Sequence, residues 1–465
     1  MKLNNKTDCT ERDSKAPNAF DSSEALNVAP QDDNGCNPGW LQRYVVSFQL
    51  LSKNAKRYLL GAFLLGITQA NIQLLFNLYL REREVTESVI GNIISSRATG
   101  AALMALPAGF LLLRTRLKPV LIASALVFSG AVWMMAAWGD VSVLWMFALI
   151  SGMAFTFYRV AAAPFYMRNS TPIERPMLFS LGFGMMTLAG SVGSLGAGYL
   201  VAVFKDYVGV DAVLAHRYAL FVGVAAGLFA TIPFSLIQSK KPSQEERQRS
   251  LNWRVIRGRA SVYGKLFIPY FLVGLGAGFI IPFLNIYFRD RFHQTTDEIG
   301  VYYFAVSIAT FLGTMAAPAL VHKFGKIKTV VLTELMSIPF MFILAYTGNV
   351  GWAVAAFLLR AAFMNMGQPV STNFSMEVVT EREQGLVNAL MLLAWTGSWT
   401  ISTNIGGELI ERHGYELPML ITIALYVLSS VSYYFFFRKS ESKENGLYVV
   451  TPDANPSINQ GGGIS

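Results

Sequence analysis

The chain has 465 residues, 53% of them hydrophobic and only 14% charged, too little polar surface for a water-soluble domain of this size. Its formal net charge of +9 would suit nucleic acid or a membrane surface, and the loop-by-loop placement of the basic residues favours the membrane. Cys9 and Cys36 sit together in a polar tail, His216, His293, His322 and His413 are scattered at loops or helix ends, and no Gly-x-x-x-x-Gly-Lys-Ser/Thr run occurs. No metal centre, cofactor, ATP site or enzyme activity is therefore expected.

Residues 1–38 are polar and lack the apolar core of a signal peptide, so they read as a disordered cytoplasmic tail. Trp40, Leu41, Tyr44, Val45, Phe48 and Leu51 then recur at helical spacing, which predicts an amphipathic juxtamembrane helix over 39–57. A spanning helix needs roughly 20 apolar residues. Such windows occupy 59–80, 90–112, 119–138, 142–164, 177–204 and 217–238, inside a six-helix half over 58–238. A basic central loop over 239–264 comes next, and the second half, 265–438, has windows at 265–288, 299–321, 329–347, 351–373, 385–410 and 416–437. Residues 439–465 read as a second disordered cytoplasmic tail. The predicted class is an all-α membrane protein of twelve spans in two pseudo-symmetric six-helix halves.

The halves repeat in detail. Asn77-Leu78-Tyr79-Leu80-Arg81-Glu82-Arg83 returns as Asn285-Ile286-Tyr287-Phe288-Arg289-Asp290-Arg291, Gly91 answers Gly300, Gly198 answers Gly407, and Arg114, Arg116 and Lys118 answer Lys323, Lys326 and Lys328. Repeated multi-helix halves in lipid point to a transporter with its site where they meet. Lys and Arg crowd alternate loops, and the opposite loops hold fewer, mostly beside acids such as Glu82, Glu84, Asp206 and Asp290. Both termini are thus expected in the cytoplasm, in a plasma-membrane protein.

This organisation resembles the major facilitator superfamily over about 59–438. The family's loop signature, Gly-x-x-x-Asp-Arg-x-Gly-Arg-Arg, is present in altered form. Gly109 and Arg114 fit, but Leu113 stands at the Asp and Arg116 at the second Gly; later, His322 replaces the Asp while Lys323, Gly325 and Lys326 fit. The departures leave the subfamily open. The resemblance implies a secondary transporter working by alternating access, with a small-molecule substrate, no nucleic acid partner and a monomeric state in the bilayer. It also implies that Arg114, Arg116, Arg175, Lys323, Lys326 and Arg382 form a cytoplasmic gate with acids such as Glu174, Glu377 and Glu381; the alternative is that they only set topology. The fifth span crowds Gly182, Gly184, Gly190, Gly193, Gly196 and Gly198 without the proline of the family's antiporter signature, which favours close helix packing.

Polar residues within the windows are the binding-site candidates, because an unpaired polar group in hydrocarbon costs roughly 2–7 kcal/mol. Gln69, Gln73 and Asn77 recur every four residues and share one face of the first span; only Asn285 remains of this stripe in the seventh. A ligand site and a helix-to-helix hydrogen-bond zipper both explain it. Trp395 and Trp399 stand one turn apart in the eleventh span beside Ser398 and Ser402, as a cavity wall or as anchors. Asn365 and Gln368 in the tenth span are candidates of the same kind. Arg97, Arg159 and Arg360 lie within spans, where an ionisable group marks function by default, and Tyr158 adjoins Arg159. Glu334 is expected to reach basic residues at the cytoplasmic end, and Glu408 to pair with Arg412 four residues on. The excess of Arg over acid suits an anionic or amide-rich solute, and proton-linked efflux or uptake both remain open. Two other classes compete: a lipid flippase or scramblase, which requires Gln69, Gln73 and Arg159 on a lipid-facing seam, and a non-transporting sensor that leans on its tails.

Overall fold

The computed structural model describes residues 51–169, 175–238, 259–379, 383–444 and 447–450. Hydrocarbon offers no partner to a backbone N–H or C=O, and a chain this apolar satisfies them within helices. The first half contains Lys53–Glu82, Glu87–Arg114, Leu117–Ala137, Val141–Asn169, Arg175–Asp206 and Ala212–Phe229, the last continued by one turn, Thr231–Ser235. The second begins with Ala260–Ile280, which passes through a 3₁₀ turn at Ile281–Phe283 into Leu284–Phe292. Thr296–Phe324, Lys326–Tyr346, Val350–Glu377, Gln384–His413 and Glu416–Phe437 complete it. Among the described residues eleven spans are apolar and long enough to cross a bilayer. The eleventh helix in order, Gln384–His413, has the length, but Thr396, Ser398, Thr400, Ser402, Thr403 and Asn404 dilute its hydropathy. Its hydroxyls bond back to its own carbonyls, as in Ser402 Oγ to Ser398 O at 2.8 Å and Thr403 Oγ1 to Trp399 O at 2.7 Å, so the helix survives its polarity.

Helix ends follow from local chemistry. Ser52 Oγ accepts the Ala55 N–H at 3.2 Å and starts the first span. Thr295 and Glu298 form a reciprocal capping box before the eighth. Gly325, at φ 82°, turns the chain from the eighth span into the ninth in a conformation that side chains resist. The predicted 39–57 helix is not found as a unit: Ser52 is a cap, and Lys53 to Arg57 already belong to the first span, while 39–50 lie outside the described residues. The boundary drawn after residue 264 also moves, since the seventh span starts at Ala260.

The tails 1–38 and 451–465 and the loop 239–258 lie outside the described residues. The start of the last segment, however, is ordered. Glu441–Glu444 (β1) pairs antiparallel with Leu447–Val450 (β2), Glu441 opposite Val450. The Glu441 carboxylate accepts the Lys326 N–H at 2.7 Å and the Ile327 N–H at 3.4 Å. An anion is favoured there, because the N-terminus of the ninth span presents unpaired donors and the positive end of its dipole.

The repeat becomes a pseudo-two-fold contact between the halves. The second span packs on the eleventh and the fifth on the eighth. A Cβ on Gly91 would stand 3.1 Å from Gly407 Cα and 2.4 Å from Thr403 O, and one on Gly300 would stand 3.1 Å from Gly198 Cα and 2.9 Å from Ser194 O. Both crossings are closer than any side chain permits: Gly91 meets Gly407 and its repeat counterpart Gly300 meets Gly198, so the repeat relates one crossing to the other. Outer faces carry exposed apolar side chains such as Phe229, Leu312 and Trp352, as a lipid-facing surface requires.

Candidate functional site

A cavity of about 260 Å³ lies between the halves, walled by the first, second and fourth spans, with Met135 of the third, Pro282 of the seventh and Trp395, Thr396 and Trp399 of the eleventh. Seven predicted residues meet there: Gln69, Gln73, Asn77, Arg97, Arg159, Trp395 and Trp399. The four-residue stripe does face inward as one surface. Arg97 donates to Gln69 Oε1 and lies 5.8 Å over the Phe128 ring. Arg159 opens into the cavity, and among the described residues no hydrogen bond or ion pair holds it. Trp395 and Trp399 lie 5.7 Å apart, and Tyr270 packs 6.0 Å from Trp395. Among the described residues no Asp or Glu lines this space.

Other candidates lie elsewhere. Arg360 is buried within the second half, where it donates to the Tyr426 hydroxyl at 3.2 Å. Tyr158 belongs to an aromatic cluster with Tyr58, Phe155 and Phe234. Asn365 bonds to Ala361 O of its own helix at 2.8 Å, and the exposed Gln368 donates to the Tyr270 hydroxyl. Ser398 and Ser402 face Gly274 and Gly278 of the seventh span instead of the cavity. Hydropathy sets the depth of each of these residues but not its direction around the helix. Glu334 reaches no basic residue: it is buried, and its Oε1 has no partner. Glu408 and Arg412 do pair, at 2.7 Å. Sequence reasoning missed Phe155, Thr156, Pro282, Thr396 and Tyr270.

One end of the cavity is sealed. Asn285 donates to Leu74 O at 2.8 Å, and Asn77 donates to Pro282 O at 2.6 Å and lies 3.4 Å from Asn285 Oδ1. The break at Ile281–Phe283 frees the Pro282 carbonyl for this bond. Further out, Arg81 pairs with Asp290 at 3.2 Å and Arg289 with Glu82 at 2.9 Å. Arg81 also reaches Glu87 at 3.1 Å. Ser88 N–H donates to Glu411 at 3.1 Å, and His216 meets Thr296 Oγ1 at 3.0 Å. Burial, with Asp290 and Glu87 nearby, pushes the Tyr415 hydroxyl well above its ordinary range, so it stays neutral in this seal.

The described gate residues Arg114, Arg116, Lys323, Lys326 and Glu377 stand at the opposite end, and no described hydrogen bond or ion pair of theirs joins the halves. Lys326 pairs with Glu377 at 2.5 Å inside the second half, Lys323 lies over its neighbour Phe324, and Arg114 and Arg116 are exposed. Arg175 opens the fifth span; Glu174, Glu381 and Arg382 lie outside the described residues.

A family model described as Major Facilitator Superfamily matches residues 58–403 and, in an overlapping second alignment, 266–450. The chain belongs to the major facilitator superfamily. No curated protein matches its sequence. Among solved structures, a bacterial homolog of the human lysosomal transporter Spinster, in an inward-facing and occupied conformation, superposes with TM-score 0.68 at 14% identity, covering 83% of this chain and 96% of that one. The nucleoside transporter NupG gives 0.64 at 13% identity (83% and 99% covered), and a D-xylose–proton symporter gives 0.64 at 18% (84% and 98%). At these identities the likeness is one of fold. A superfamily member of this architecture is a secondary transporter in its general class, a multi-pass membrane protein handling a small molecule.

Proposed function

We propose that this transporter binds its solute in the cavity of Gln69, Gln73, Arg97, Arg159, Trp395 and Trp399 and moves it across the cytoplasmic membrane by alternating access, as a monomer driven by a gradient. The observation that carries the reading is the one-sided seal: the cross-half bonds of Asn285, Asn77 and Ser88 and the pairs of Arg81 and Arg289 all lie toward one end. A cavity closed on one side and open on the other is one of the two states that rocking halves require. The basic loops put the open end in the cytoplasm. Gln69, Gln73 and Arg159 face the space between halves and not a lipid-facing seam, which favours a solute carrier over a scramblase.

Spin labels test this without a known solute. One pair replaces Tyr207 and Gly348 at the sealed end, and another replaces Arg116 and Lys328 at the open end; all four positions are exposed. Alternating access predicts a second population in which the first distance lengthens while the second shortens. A single distance at both ends in detergent, nanodiscs and liposomes would refute it.

A further inference from the structure

The cavity's charge is one-sided. Arg97 and Arg159 both line the cavity, and no described carboxylate does. Two like charges in a confined site of low polarity are tolerated when an anion completes them. The two are held differently. Arg97 is occupied by Gln69 and the Phe128 face. Arg159 presents a planar fork of donors that no described residue takes, the geometry that grips a carboxylate with two parallel bonds.

A second unmet donor belongs to another wall residue. The Trp399 indole N–H is buried without a partner among the described residues, although buried donors are almost always paired. Around these groups the walls are flat and apolar: Trp395 with Trp399, and Phe76 and Phe155 from the first half. The volume, about 260 Å³, is just below the roughly 300–1,000 Å³ typical of drug-sized sites, which limits the ligand to about one ring.

We infer that the cavity binds a small planar organic anion of the arylcarboxylate kind, its carboxylate gripped by Arg159 and its ring set against Trp395 and Trp399. This rests on the transport reading for the steps after binding, but binding itself is measured apart from transport. Arg97 supplies long-range attraction, and Gln69 keeps it from competing for the same carboxylate.

The test uses the full-length protein purified in detergent, with benzoate, salicylate and nicotinate as probes. Benzyl alcohol and benzylamine serve as neutral and cationic counterparts, and inorganic phosphate as an anion without a ring. The three carboxylates should raise the melting temperature and give measurable titrations, while benzyl alcohol and benzylamine do neither and phosphate binds more weakly than benzoate. Arg159→Gln should weaken benzoate by about tenfold or more, and Arg159→Lys by less, because an ammonium keeps the charge without the fork. Trp399→Phe keeps a ring but removes the N–H, and should weaken benzoate several-fold. A structural role for Arg159 would lower the melting temperature without altering the preference for benzoate over benzyl alcohol, so that preference is the deciding readout. If Arg159→Gln does not fold, the wild-type ranking decides. Benzylamine binding as tightly as benzoate, no response to any carboxylate, or full benzoate affinity in a folded Arg159→Gln would each overturn the inference. Counterflow in proteoliposomes with labelled benzoate and, separately, labelled benzylamine separates the two readings. Binding without counterflow would sink transport and leave the site; benzylamine counterflow without benzoate binding would do the reverse.

Discussion

Asn285 shows how much a single uncharged side chain contributes to the closed end. It is fully buried, its amide donates to Leu74 O across the halves, and its oxygen accepts the next backbone N–H at 3.0 Å. Asn77, its partner in the repeat, mirrors the arrangement by donating to Pro282 O. Asn285→Ala removes the cross-half bonds to Leu74 O and Asn77 where water is excluded, at roughly 1–3 kcal/mol. The loss falls on the sealed state alone, because the bonds to Leu74 and Asn77 exist only when the halves touch. The ratio of sealed to separated molecules should fall by about tenfold, read as growth of the long-distance population between labels at positions 207 and 348. An unchanged distribution would show that the asparagines accompany closure without stabilising it.

At the scale of elements, the ends of the first and seventh spans form a reciprocal clasp. Each arm gives its arginine to the acid of the other: Arg81 to Asp290 and Arg289 to Glu82, residues matched by the offset of 208 that separates Asn77 from Asn285. The side chains of Arg289 and Glu82 are about a quarter exposed, so this pair contributes only about 0.2–1 kcal/mol. That is enough to shift the equilibrium by up to roughly fivefold. Reversing Glu82 to Arg should open the sealed end, and combining it with Arg289→Glu should restore much of the closure, with added salt weakening both effects. Failure of the double reversal to recover the short distance between positions 207 and 348 would exclude the clasp as a direct pair. These elements also mark what the sequence discloses. The repeat and the inward face of Gln69, Gln73 and Asn77 are legible, because both follow from periodicity along one chain. The pairing of Arg81 with Asp290 is not, since no local pattern reports which distant loop will meet it. The sequence misplaces Arg360 and Tyr158 in the cavity for a related reason: depth in the bilayer follows from hydropathy, whereas direction around the helix depends on neighbours such as Tyr426 and Phe234. The hairpin at 441–450 is equally illegible, because a polar tail gains order only through a contact far away, here Glu441 on the ninth span.

For the molecule as a whole, the seal and the charge asymmetry make one joint claim about sidedness. The end with Arg116, Lys323 and Lys328 carries the excess of basic residues and stands open, so the cavity should face the cytoplasm in this state. Gln73 reports on it directly, being exposed to the cavity and free of any hydrogen bond among the described residues. Cys9 and Cys36 are the only native thiols, and a variant lacking both leaves Gln73→Cys as the sole target. In sealed right-side-out vesicles an impermeant thiol reagent should label it slowly from outside, while inverted vesicles should label it readily. Combining it with Asn285→Ala should raise the outside rate, because that change frees the halves at the Arg81–Asp290 end. Labelling from outside as fast as from inside, or faster, in the parent would mean either that the seal leaks or that the protein sits the other way round. Single cysteines at Glu84 and Lys328, both exposed and at opposite ends, separate those outcomes: reversed labelling of the pair indicts the topology, and correct labelling indicts the seal.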